Sequence, residues 1–141
     1  MIVYCDTSAL IKRYVEEAGS DWVDHLFEGE TTVLTSTVAF AEIMAAFSRK
    51  YRERVLSRSG YLKTVSEFKN EYSKLILVSI SPDLNQIIEG LLTNHPLRGF
   101  DAIHLASALQ VQKEGNLTVR FACFDRALNK AAVAEGLITP F

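Results

Sequence analysis

The hydrophobic positions of the chain fall into short apolar runs that alternate with longer stretches of helical spacing. Each run is rich in β-branched or aromatic residues and ends at polar or turn-forming residues, which is typical of a buried strand. The predicted strands are residues 2–5, 31–35, 75–80 and 119–124, with a short fifth strand at 137–138.

Between these runs, apolar residues recur at intervals of three and four, which predicts helices. Ser59-Gly60 interrupts one such pattern, Pro82 lies at the start of another, and Gly115 lies just past the end of a third. Proline is favoured in the first turn of a helix and glycine just after the last turn. The predicted helices are residues 8–14, 21–27, 38–56, 61–74, 83–93, 101–113 and 126–134.

Strands that alternate with helices predict an α/β fold with a central, mainly parallel sheet of four to five strands and helices on both faces. The chain has 141 residues, which suits a single domain spanning 1–141. In open sheets of this kind, ligands bind at the carboxyl ends of the strands.

Composition limits the kinds of partner and cellular compartment that the sequence predicts for this domain. The formal net charge is −2, so a nucleic-acid site would have to be a local basic patch. No apolar run is long enough to span a bilayer, and the first residues lack the features of a signal peptide. The two cysteines, Cys5 and Cys123, are interpreted as buried thiols of a reduced, cytoplasmic protein.

Residues 38–47, VAFAEIMAAF, are apolar except for Glu42. An unpaired ion in apolar surroundings costs several kcal/mol, so such a carboxylate is usually neutralised, paired or bound to a cation. Pairing with an arginine is the purely structural explanation of Glu42.

Four acids are predicted to meet at the same edge of the sheet. Asp6 and Asp125 directly follow predicted strands, Asp101 begins a helix after a loop, and Glu42 lies about one turn into the helix after the second strand. Each aspartate has an alternative interpretation as a helix N-cap. Four clustered carboxylates, however, repel one another unless a cation joins them, and an oxygen-only ligand set suits Mg²⁺ or Mn²⁺.

Four stretches, VYCDTSALIK, FAEIMAAF, GFDAIHLASAL and FACFD, occur in this order along the chain. Together they resemble the PIN-domain ribonucleases, specifically the VapC-type toxins of VapBC toxin–antitoxin pairs, over nearly the whole length. The resemblance implies a PIN-like fold and a metal-dependent endoribonuclease that is silenced by a cognate antitoxin. It also implies a homodimer.

Residue by residue, the resemblance assigns catalytic and metal-binding roles to Asp6, Glu42, Asp101 and Asp125, with Mg²⁺ or Mn²⁺ as cofactor. It gives Ser8 a supporting role beside the metal site. One position departs from the family pattern, because Cys123 stands where a serine or threonine is usual, two residues before the last acid. A thiol is a weaker donor than a hydroxyl, so the ordering of Asp125 is the feature that this departure affects.

Basic residues near these motifs are candidates for RNA contacts, since Lys and Arg supply most of the affinity for a phosphate backbone. Residues 49–63 contain six basic side chains and one acid, and a solvated helix face is the structural alternative. His104, three residues after Asp101, is interpreted as a packed side chain satisfied locally, with a bond to one of the acids as the alternative. The RNA-binding candidates are Arg13, Arg49, Arg52 and Arg98.

Two other classes of protein compete with the nuclease. A phosphotransfer protein would also have an aspartate after its first strand, but a dehalogenase-like phosphatase needs a second aspartate where Ser8 stands. The other alternative is a non-catalytic PIN-like module that binds RNA or protein, and the presence of all four acids argues against it.

Overall fold

A four-stranded parallel sheet forms the centre of the computed structural model, which describes residues 1–141. The strands are β1 (Ile2–Cys5), β2 (Thr32–Ser36), β3 (Ile76–Val78) and β4 (Arg120–Ala122). Their order across the sheet is β3-β2-β1-β4, and all three strand pairs are parallel. The chain therefore adds β2 and β3 on one side of β1 and then adds β4 on the other side. The direction of strand addition reverses between β1 and β4, and ligands commonly bind at such a switch point.

Seven helices accompany the sheet. They are α1 (Thr7–Leu10), α2 (Ser20–Glu28), α3 (Ala39–Arg52), α4 (Arg58–Tyr72), α5 (Asn85–Asn94), α6 (Gly99–Gly115) and α7 (Arg126–Ala134), with 3₁₀ turns at Ile11–Arg13 and Pro82–Leu84. None of them is long and apolar enough to cross a membrane.

Alternate residues of the central strand face two separate cores. Tyr4 packs with Phe121 and the buried residues of α6 and α7, whereas Val3 and Cys5 pack with the buried residues of α1, α3 and α4. A strand buried on both faces reads as a continuous apolar run, and this is why 2–5 was recognisable in the sequence. The predicted α/β architecture is confirmed.

Most helix boundaries differ from prediction by a few residues, and the largest difference lies between α3 and α4. Ser59 and Gly60 do not break a helix but lie in the first turn of α4, where the Ser57 hydroxyl accepts a hydrogen bond from the Gly60 N–H at 3.0 Å. The break falls instead after Arg52, where Arg54 takes a φ of 60°. The N-cap serine overrides the low helix propensity of glycine, since it satisfies a donor that the helix start leaves free.

The end of α6 and the predicted fifth strand also differ from the sequence prediction. Gly115 is the last residue of α6, and Asn116, at φ 47°, is the left-handed residue that ends the helix. Asparagine tolerates this conformation because its short polar side chain bonds locally. The predicted fifth strand is reduced to one parallel bridge between Arg120 and Ile138.

Candidate active site

All four predicted acids line one cleft at the carboxyl ends of the strands. The cleft has a volume of about 380 Å³. Asp6 follows β1 directly, whereas two residues separate β4 from Asp125. Glu42 is the fourth residue of α3, and Asp101 is the third residue of α6. Asp6 and Asp125, which lie near opposite ends of the sequence, thus share one surface with Glu42 and Asp101.

Asp6 is the most buried of these acids, with only 4% of its surface exposed. It caps α1, and its Oδ1 accepts hydrogen bonds from the Ser8 hydroxyl at 2.7 Å and from the Ala9 N–H at 3.0 Å. The Ser8 hydroxyl in turn accepts from the Phe124 N–H at 2.9 Å. Ser8 therefore ties Asp6 to the segment after β4.

The environment of Asp6 disfavours its charge. Burial raises its pKa to about 6, and the nearby Asp101 carboxylate acts in the same direction. The hydrogen bonds from Ser8 and Ala9, together with His104, offset only part of this effect. No lysine or arginine forms an ion pair with Asp6. A cation in the cleft would supply the missing compensation.

Glu42 is held by two side chains from other elements. Its Oε1 accepts from the Thr7 hydroxyl at 2.8 Å and lies 2.7 Å from His104 Nε2. Burial acts to raise the pKa of Glu42, but the hydrogen bond and charge of His104, with the bond from Thr7, outweigh it and lower the pKa. The structural explanation by an arginine partner is wrong, since histidine and threonine take that place.

His104 links this carboxylate to the core. It is 2% exposed, and its Nδ1 lies 2.9 Å from the Tyr4 hydroxyl. A carboxylate only accepts, so Nε2 carries a proton toward Glu42. Nδ1 accepts from the Tyr4 hydroxyl when the ring is neutral and donates to it when the ring is charged. The alternative given for His104, a bond to one of the acids, is confirmed. Only its position three residues after Asp101 hinted at this, because Tyr4 is a hundred positions away in the sequence.

Asp101 and Asp125 are each fixed by one backbone N–H. Asp101 Oδ2 accepts from the Arg98 N–H at 3.3 Å, which closes the first turn of α6. Asp125 caps α7, and its Oδ1 accepts from the Leu128 N–H at 2.8 Å. The cap interpretation is therefore correct for Asp6 and Asp125, but a cap uses one carboxylate oxygen and leaves the other.

This division holds for all four acids. One oxygen of each carboxylate is bonded within the fold, and the other has no hydrogen-bond partner. The free oxygens are not sealed in the protein, since the only buried side-chain oxygen or nitrogen without a partner is Asn129 Oδ1. Four accessible carboxylate oxygens thus line a cleft whose acids are already held in place.

Cys123 occupies the position where the sequence departs from the family pattern. Its side chain is buried, and its thiol donates to the backbone carbonyl of Asp125 at 3.3 Å. Burial raises the pKa of this thiol above its ordinary range, so it stays protonated and able to donate. The carboxylate of Asp125 is ordered through Leu128 instead, which makes the thiol's weakness less important than the sequence suggested.

The basic candidates separate into two groups. Arg49 and Arg98 line the cleft, and the Arg98 Nε lies 3.7 Å from Asp101 Oδ2. Arg52 is exposed at the end of α3 but does not line the cleft. The suggestion that Arg13 contacts RNA is not supported, because its guanidinium is bonded to Glu71 and Asp24 away from the cleft.

The donor set fits a hard divalent ion, although no three His, Cys, Asp or Glu side chains stand in the arrangement of a complete metal site. Mg²⁺ does not need such a cage, because it is usually held by one or two carboxylates and completes its shell with water and substrate phosphates. The accessible oxygens of Asp6 and its neighbours meet that requirement.

Comparisons with known proteins agree with this fold. A family model described as PIN domain matches residues 3–134. Ribonucleases VapC45 and VapC49 of two Mycobacterium tuberculosis strains are each 33% identical over 135 residues, which cover 96% of this chain and 92% of theirs.

Solved structures with the same fold include M. tuberculosis VapC20, described as a sarcin-ricin loop cleaving toxin. It superposes with a TM-score of 0.67 at 16% identity and covers 96% of both chains. Rickettsia felis VapBC2 bound to a promoter DNA fragment gives 0.66 at 14% identity, covering 99% of this chain and 97% of the other. Neisseria gonorrhoeae FitAcB gives 0.66 at 15% identity, with 99% and 96% covered.

Proposed function

The chain belongs to the PIN domain family, and from that premise we propose that it is a divalent-metal-dependent endoribonuclease, the toxin of a toxin–antitoxin pair. Its similarity to two ribonucleases over 96% of its length supports RNA as the substrate. The proposal takes residues 1–141 as a single PIN domain.

The observation that carries the proposal is the state of the four acids. Each is held through one oxygen and offers the other to a cleft, and no lysine or arginine forms an ion pair with Asp6. Four neighbouring carboxylates that each have one oxygen without a hydrogen-bond partner lower the stability of a fold, because like charges repel and burial penalises ions. The arrangement makes chemical sense for a site that binds a metal ion.

In this proposal Asp6, Glu42, Asp101 and Asp125 hold Mg²⁺ or Mn²⁺ and carry catalysis. Such an ion lowers the pKa of a bound water and stabilises charge on phosphate oxygens. The chain itself does the positioning. Ser8 fixes one oxygen of Asp6, and His104 fixes one oxygen of Glu42, so that both free oxygens keep their directions.

Cationic side chains would orient the RNA backbone at the mouth of the cleft. Arg98 is 88% exposed, and Arg49 is exposed on α3, so both are free to reach a phosphate. Arg52, at the end of α3, is a further proposed contact. Arg13 is left out because its three nitrogens are already bonded to carboxylates.

The partners follow from the same premise. The Rickettsia complex is described as VapBC2, which supports an antitoxin partner for this chain. We propose that this partner offers an arginine or lysine to the acids, since a cationic side chain compensates them as a metal would. A homodimer and a cytoplasmic site of action complete the proposal.

The decisive experiment measures cleavage of labelled single-stranded RNA and total tRNA by the purified protein and its Asp101→Asn variant. Asparagine keeps an oxygen to accept from the Arg98 N–H, so the fold should survive, which melting curves check. Lys69→Ala, on the exposed face of α4, is the control. Each protein is assayed with Mg²⁺, with Mn²⁺ and with EDTA.

We expect cleavage that requires the metal, is equal in Lys69→Ala and falls at least about a hundredfold in Asp101→Asn. Calorimetric titration of Mn²⁺ should show weaker binding to the same variant. If wild type binds RNA and cleaves nothing under any condition, the non-catalytic module replaces the nuclease.

A further inference from the structure

A second groove lies next to the acidic cleft. We call it the α7 groove; it lies between α7 and the segment Asn94–Pro96 and has a volume of about 790 Å³. Asp125 lines both the groove and the cleft. The two spaces therefore adjoin at a proposed catalytic residue.

The walls of the groove are fixed to each other. His95 Nε2 lies 2.7 Å from Glu135 Oε1, which ties the end of α5 to the residue just after α7. On the wall formed by α7, the groove is lined by the small side chains Ala127, Ala131 and Ala134. Small residues leave room for a ligand to approach the helix closely.

The groove also carries two free cations. Arg126 and Lys130 line it, are exposed and form no ion pair with any acid of the protein. They are four residues apart on one helix, so they lie on the same face one turn apart. This spacing lets them contact successive phosphates of one extended strand.

A strand bound for cleavage must continue on both sides of the bond that is cut. The cleft itself is rich in acids and repels a polyanion except where a cation is bound, so the strand needs cationic side chains as it leaves. Arg49 and Arg98 line the cleft itself, and the α7 groove, which adjoins the cleft at Asp125, carries the two further cationic side chains that a continuing strand would meet.

We propose that single-stranded RNA leaves the cleft along the α7 groove, with its phosphates on Arg126 and Lys130. This inference rests on the proposed function for the substrate class and deepens it by giving the path of the strand beyond Asp125. A protein segment is disfavoured as the occupant, because two free cations beside an acidic cleft complement a backbone that carries one charge at every step.

The test measures RNA affinity without cleavage. A labelled single-stranded RNA is titrated with protein in EDTA at several salt concentrations, and fluorescence anisotropy gives the dissociation constant. The variants are Arg126→Ala/Lys130→Ala, the charge-keeping Arg126→Lys/Lys130→Arg, and Lys69→Ala/Lys113→Ala as a control with the same change of net charge away from the groove.

For the alanine pair in the groove we expect affinity to fall about tenfold and the slope of log K against log salt to shrink by about 1.4, since each lost phosphate contact on a single strand contributes about 0.7. The charge-keeping pair should bind within about twofold of wild type. An equal loss in the control pair would mean that only net charge matters and would overturn the proposal. Unchanged RNA affinity in the groove variant, as for a groove that serves a protein partner, would overturn it too. Because binding is read without metal, a failure of cleavage would leave this result intact.

Discussion

Two clusters of charge on this molecule are built on opposite plans. Around Arg13, one guanidinium meets two carboxylates: it donates to both oxygens of Glu71, at 2.8 and 3.2 Å, and to Asp24 at 2.8 Å. The Tyr14 hydroxyl adds a fourth bond at 3.0 Å to Glu71. Here every carboxylate oxygen of Glu71 has a partner, and the one cation lies between the two anions; we call Arg13, Tyr14, Asp24 and Glu71 the balanced cluster, because their hydrogen bonds satisfy one another.

The acidic cleft contains four carboxylates, and each of them has one oxygen without a partner. Hydrogen bonds raise the pKa of Arg13 and so stabilise its charge, whereas burial raises the pKa of Asp6 and so opposes its charge. The difference teaches that a cluster of charged residues stabilises the fold when its members supply one another's hydrogen bonds. A cluster left incomplete is the place to look for a ligand.

Removing the cation of the balanced cluster should have the largest effect on stability. Arg13→Ala leaves two carboxylates without their partner, and we expect the free energy of unfolding to fall by about 2 kcal/mol, less than for a fully buried pair because all three side chains are partly exposed to solvent. Chemical denaturation measures this loss. Below its melting temperature the variant should cleave RNA like wild type, because Arg13 is not near the cleft. A selective loss of cleavage with unchanged stability would contradict the comparison.

Neutralising an acid of the cleft should increase the free energy of unfolding, which is the opposite effect to that of Arg13→Ala. The pKa of folded Asp6 is about 6, above the ordinary 3.8, so the protonated form favours folding fully at low pH and this contribution is lost as pH rises through about 6. In EDTA at pH 7.5 we expect Asp6→Asn to raise the free energy of unfolding by on the order of 2 kcal/mol. The gain should disappear near pH 4.

Glu71→Gln is the matched control for this prediction, since it also neutralises one carboxylate. It should destabilise the protein at pH 7.5, because Arg13 loses a charged partner. If both variants shift stability in the same direction, the two clusters do not differ as described. Denaturation curves at pH 4, 6 and 7.5 for both variants decide the matter.

The contact between His104 and Glu42 is expected to matter less than the acids themselves. His104→Leu removes the donor to Glu42 Oε1, and we expect roughly a tenfold loss in Mn²⁺ affinity, as is typical when a partner of a metal ligand is removed. His104→Gln keeps a donor of similar reach and should retain most of that affinity. Calorimetry separates the two variants, and equal losses would mean that His104 only fills space.

The smallest effect is expected for Tyr14→Phe, which removes one hydroxyl from the balanced cluster. Glu71 keeps both bonds from Arg13, so we expect a loss of about 1 kcal/mol, the usual value of one hydrogen bond. The phenylalanine keeps the packing of the ring against Phe47 and Phe68. A loss as large as that of Arg13→Ala would show that the hydroxyl, not the ion pair, organises the cluster.

Sequence alone was sufficient for the architecture, because strand and helix periodicity are local properties. The strand at 2–5 and the helix at 126–134 were predicted with their observed limits. Boundaries failed where a single side chain decides them, as Ser57 does for α4 and Asn116 does for α6. The prediction of a fifth strand was wrong because a strand needs several successive pairs with its neighbour, and residue 138 forms a single bridge with Arg120.

For the site, the sequence determined which acids follow strands and open helices, and the parallel-sheet rule then predicted one shared edge. Only the tertiary structure decided what each side chain contacts. It brought His104 and Tyr4 to Glu42, satisfied Arg13 with Glu71 and Asp24, and left Arg126 and Lys130 free beside Asp125. Periodicity along the chain fixes the element on which a residue lies, but hydrogen bonds and charge compensation depend on distances of a few ångströms between elements that are far apart in sequence.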